Sequence, residues 1–107
     1  MSQHFFHTQH EGRPIRVLTG WDRPLQGHFL VIEYLDTEEM LYSNLDDPVI
    51  AAFGGLPRTM SYFSVLLQEL GVSVPRNIID AVQFDQLANA GNRQVEYDEH
   101  GVAIRAT

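Results

Sequence analysis

The sequence predicts a small α+β domain: an antiparallel meander of three to four strands, followed by two main helices and a short helix. Three observations point there. Residues 15–21 and 28–35 carry strand-like apolar patterns of period two. Residues 59–70 and 75–90 repeat apolar side chains at spacings of three and four. Strands come first and helices after, and the strand connections are too short for a parallel crossover. At 107 residues and 44% apolar composition, the chain makes one domain with a modest core.

Residues 1–14 are polar, with His4, His7 and His10 spaced by three and Phe5–Phe6 between them. Their reading is a flexible segment or an edge strand carrying one phenylalanine to the core, with no metal, because no further ligand stands in register. The core domain is expected over 15–94. In its first strand Ile15, Val17, Thr19 and Trp21 share a face. The loop Gly20–Trp21–Asp22–Arg23–Pro24–Leu25–Gln26–Gly27 holds the only tryptophan between two glycines. The second strand, 28–35, is largely apolar on both faces, as in a central strand. After the turn at 36–39, Met40–Ser43 form a short third strand.

Asp47–Pro48 reads as an N-cap and first helical residue, opening a short helix near 48–53 that Gly54–Gly55 end. Thr59 is the expected N-cap of helix 59–70, and Gly71 its left-handed terminator. Helix 75–90 is divided: Ile78, Ile79 and Val82 lie on one side, Phe84, Leu87 and Ala88 on nearly the other. Either it breaks near Gln83 or its second half meets another surface. Residues 95–107 read as a hairpin across Asp98–Gly101, or as a flexible tail. The expected core is Val17, Leu30, Ile32, Phe53, Phe63, Leu67, Leu70, Ile78 and Val82.

Composition narrows function. The chain has no cysteine, so it has no disulfide, thiolate nucleophile or cysteine-based metal site. All seven bases are arginine, which removes lysine-dependent chemistry such as Schiff bases and the Walker A lysine. No apolar run is long enough for a bilayer, and the first residues lack a secretory leader's basic and apolar regions. Cytoplasmic residence, with no membrane partner, is the expectation. Fourteen acids oppose the seven bases, and six acids with no base lie between Arg23 and Arg58. Such a stretch suits a basic partner surface and repels nucleic acid.

Residues 66–82 look superficially like a helix–turn–helix. However, bulky Leu67 stands four before Gly71, where a small residue belongs, and Asn77 and Asp80 occupy apolar positions. A nucleic-acid-binding helix pair is therefore disfavoured. Acid–base catalysis has a minimal candidate in His28 with Asp22 or Glu33 across the hairpin mouth. Asp22 is equally explained by a turn hydrogen bond, and His28 by packing. No catalytic, cofactor or metal set emerges.

The leading expectation is a non-catalytic accessory or regulatory protein that binds another protein, a second copy of the chain included. Trp21 and Arg23 are residue types that anchor interfaces, although Trp21 can equally plug the core. The interaction candidates are Trp21, Asp22 and Arg23 in the loop, Glu33, Asp36, Glu38 and Glu39 on the acidic stretch, and Phe84 and Leu87 on the second helix.

Overall fold

A computed structural model describes residues 1–107, except the side chain of Phe53, so its expected core role lies outside the described residues. The chain runs β1 (Ser2–His10), β2 (Arg13–Asp22), β3 (Gly27–Tyr34), β4 (Met40–Ser43), α1 (Ser61–Leu70), α2 (Arg76–Leu87), β5 (Arg93–Tyr97) and β6 (Ala103–Ala106). Two 3-10 turns, Asn44–Asp46 and Ala51–Phe53, lie between β4 and α1. The α+β architecture has the expected order of strands and then two main helices.

The sheet is larger than the meander: six strands in the order β4-β3-β2-β1-β5-β6. β1 pairs antiparallel with β2 and parallel with β5, so the sheet is mixed. Residues 2–10 are thus a central strand, not a flexible or edge segment. Alternation explains this: Ser2, His4 and Phe6 are buried, and the period is disguised because two of these inward residues, Ser2 and His4, are polar. The expected C-terminal hairpin forms, and β1 gives it an edge to join.

One face of the sheet carries the helices. In register across it lie Phe6, Val17 and Ile32, then His4, Thr19 and Leu30, with Val95 and Tyr97 from β5. Phe63 and Leu67 of α1, and Ile78, Ile79 and Val82 of α2, close the core. Each such side chain contributes about 1.5–3 kcal/mol on burial. Leu70 packs against this core only partly buried. The opposite face holds the row Phe5, Leu18, Val31 and Ser43, beside His7, Arg16 and Glu33.

Several local expectations are corrected. The helix near 48–53 is reduced to a 3-10 turn whose N-cap is Ile50, and Asp47 instead closes the preceding turn. Thr59 does not cap α1; Met60 occupies that position without a side-chain bond. Gly71 does terminate α1 in the left-handed conformation, at φ 73°. Helix α2 is continuous through Gln83 and ends at Leu87, with Pro75 outside its first turn as N-cap. Gly20 answers a close approach: a Cβ there would lie 1.9 Å from the Ser2 carbonyl oxygen and 2.9 Å from the Phe29 ring.

Candidate functional site

The densest polar chemistry lies beneath the second half of α2. Asp85 projects from its inner face, one step along the stripe of Ile78 and Val82, and is only 1% exposed. The His4 Nε2–H donates to Asp85 Oδ2 at 2.6 Å, while Arg93 Nη1 donates to Oδ1 at 2.8 Å. The Tyr97 hydroxyl donates to His4 Nδ1 at 2.7 Å. One network therefore joins β1, α2 and β5. Burial holds the His4 pKa below the usual histidine value, outweighing the upward pull of Asp85. A neutral ring satisfies both contacts. Burial likewise raises the Tyr97 hydroxyl.

A second cluster adjoins it. Trp21 is buried against the His28 ring at 5.0 Å, and its Nε1–H donates to Asn89 Oδ1 at 3.2 Å. Gln26 Nε2 donates to the same oxygen at 2.8 Å, tying the 22–27 loop to the end of α2. Asn89 supports this from a positive φ of 48°, a conformation asparagine tolerates. His28 Nε2–H donates to Gln86 Oε1 at 2.9 Å, and Nδ1 faces the Gly20 carbonyl at 3.3 Å. Burial lowers its pKa as well, so a single proton serves the shorter contact.

Chemically, Tyr97, His4 and Asp85 form a line along which a proton could pass. Yet His4 is 0% and Tyr97 8% exposed, so the line is sealed against a substrate. Its evident effect is to pin three elements in one register.

The sequence candidates separate. Trp21 plugs the core instead of projecting. Asp22 Oδ1 accepts the Leu25 N–H at 3.0 Å, closing the turn, while Arg23 is exposed. His28 meets neither Asp22 nor Glu33; Glu33 pairs with Arg16 on the opposite face of the sheet. Asp36 takes two hydrogen bonds from Arg13, at 2.9 and 3.2 Å, and that guanidinium lowers its pKa. Glu38 and Glu39 are exposed at the same turn. The 22–27 loop and the 36–39 turn stand at opposite ends of β3, roughly 25 Å apart. They do not make one surface. Phe84 and Leu87 point outward, 63% and 85% exposed. Among the described residues, no group of three or more histidines or acids is placed to hold a metal ion.

Sequence reasoning missed His4, Asp85, Arg93 and Tyr97. A signal existed for two of them: Asp85 continues an apolar helical stripe, and His4 alternates with Phe6. A lone polar residue in such a stripe needs a buried partner. Nothing local announced Arg93 or Tyr97, which arrive through the parallel pairing of β1 with β5.

Fold and site together define a two-layer α+β protein whose second helix is locked to its sheet by polar side chains. No family model, curated protein or solved structure matches the chain. No helix among the described residues is long and apolar enough to cross a membrane.

Proposed function

We propose that this chain is a non-catalytic accessory or regulatory protein that recognises another protein through the outer face of α2 and the adjoining 22–27 loop. The supporting observation is an inversion of polarity. In the second half of α2 the polar Asp85 and Gln86 face the sheet, while Phe84 and Leu87 face solvent. Leu25, 66% exposed in the neighbouring loop, adds a third apolar side chain. Scattered apolar residues are ordinary on a surface, but here they stand on a helix and a loop hydrogen-bonded to each other. A rigid surface of this kind loses little entropy on binding.

The test is affinity capture from the source cell with the wild-type chain and with a Phe84→Ser/Leu87→Ser variant. Loss of captured protein at an unchanged melting temperature supports the reading. Identical captured sets remove this face from it. An Arg23→Ala variant shows whether the loop contributes.

A further inference from the structure

A second surface, independent of α2, lies where the edge of the sheet meets α1. Two hollows of about 530 and 350 Å³ share Tyr62 and Leu66 and so form one trough. Met40, Leu41 and Val49 line one end, and Val65 the other. Met40, Val49 and Val65 are each more than half exposed. The trough is bordered by Asp46, Asp47 and Glu69, and no base is among the described residues that line it. β4 is the last strand of the sheet, so its outer edge is unpaired.

Asp47 is built into the wall, unlike its neighbours. Its Oδ2 accepts the hydroxyls of Tyr42 and Tyr62, both at 2.7 Å, and its Oδ1 accepts the Val49 N–H at 2.9 Å. Those bonds hold its pKa below the usual carboxylate range, and the same contact pushes Tyr62 up to about 12. A carboxylate offers about four acceptor directions, so one is left after these three bonds. Both tyrosine oxygens, having donated, also keep lone pairs for a donor. The result is a negative charge fixed between two tyrosine hydroxyls in the wall of an apolar trough. A guanidinium matches it on both counts, its positive charge and its fork of donors.

We infer that this trough docks an extended, arginine-bearing segment of another protein. The segment adds along the free edge of β4, its apolar residues on Met40, Val49 and Leu66 and an arginine on Asp47, Tyr42 and Tyr62. Edge addition supplies main-chain hydrogen bonds, and the alternate side chains supply selectivity.

The probe is a short peptide alternating valine and arginine, titrated into the isotopically labelled full chain by NMR. A peptide with glutamate in place of arginine is the control. Expected shifts fall on residues 40–49 and 61–69. Asp47→Asn weakens the interaction about tenfold, because it removes a charge already oriented for the guanidinium. Glu38→Gln, which removes the same charge from an exposed site, changes it less than about twofold. Met40→Arg abolishes binding without touching the Asp47 hydrogen bonds, which covers the case of a misfolded Asp47 variant. Equal weakening by Asp47→Asn and Glu38→Gln would reduce the effect to general acidity and overturn the inference. So would equal binding of the glutamate peptide, shifts confined to α2 and the 22–27 loop, or no shifts at millimolar peptide. The Phe84→Ser/Leu87→Ser variant retains peptide binding, so this inference and the α2 reading fail separately.

Discussion

Helix α1 lays Phe63 and Leu67 into the core, where they meet apolar neighbours. The second half of α2, in the same layer, lays down Asp85 and Gln86 instead and meets two buried histidines. Apolar packing is non-directional and tolerates exchange between side chains of similar volume. Hydrogen bonds to a buried carboxylate are directional, and each unpaired partner is costly. The first contact therefore supplies stability with loose specification. The second specifies which strand lies beneath α2, and at what register, with a smaller margin for change. It also explains the outward turn of Phe84 and Leu87: a helix held from within by polar groups can leave its apolar residues outside.

Substitutions separate the two contacts by size of effect. Phe63→Ala should lose about 4 kcal/mol, as expected for a fully buried phenylalanine, read by urea unfolding. Asp85→Asn is nearly isosteric yet should lose about 3 kcal/mol, since the carboxamide cannot accept from both His4 and Arg93. Its apolar counterpart, Leu67→Met, should lose less than about 1.5 kcal/mol. Equal losses for the last two would collapse the distinction between the contacts.

Acid provides the next largest effect. His4 and His28 both have pKa values lowered in the folded state from the ordinary 6.5. The unfolded chain then binds more protons than the native one below that value. Their stabilisation is complete above pH 6.5 and is lost as pH falls through the folded-state values. The slope in that window approaches about 1.4 kcal/mol per pH unit for each histidine. Chemical denaturation between neutral pH and pH 5 measures it, and a flat profile would show that neither ring is buried neutral. The smallest effect belongs to Leu87→Ser on the outer face: within about 0.5 kcal/mol, by thermal unfolding. A larger loss would place Leu87 in the fold and not on a surface.

Much of the fold was legible from local pattern. Ile15, Val17, Thr19 and Trp21 share a buried face as their alternation implies, and Gly71 ends α1 as a left-handed residue. The divided pattern of α2 was visible too, but its cause was not. Periodicity shows which residues share a side of a helix; it does not show that Asp85 has a histidine waiting eighty-one residues away. The first strand was hidden because Ser2 and His4, both fully buried, carry polar labels. Asp47 reads locally as a cap, and only the approach of Tyr62 from α1 turns it into part of a trough.

By itself, the sequence determined the class of the protein, the three consecutive strands, the two helices and the apolar face that α1 turns inward. These follow from interactions within a few residues: backbone preference, side-chain period and turn chemistry. The tertiary structure alone decided that residues 2–10 run through the middle of a six-stranded sheet. It also paired β1 with a strand from the far end of the chain and made α2 present apolar side chains to solvent. Those outcomes rest on pairs distant in sequence, whose hydrogen bonds exist only once the chain has closed on itself.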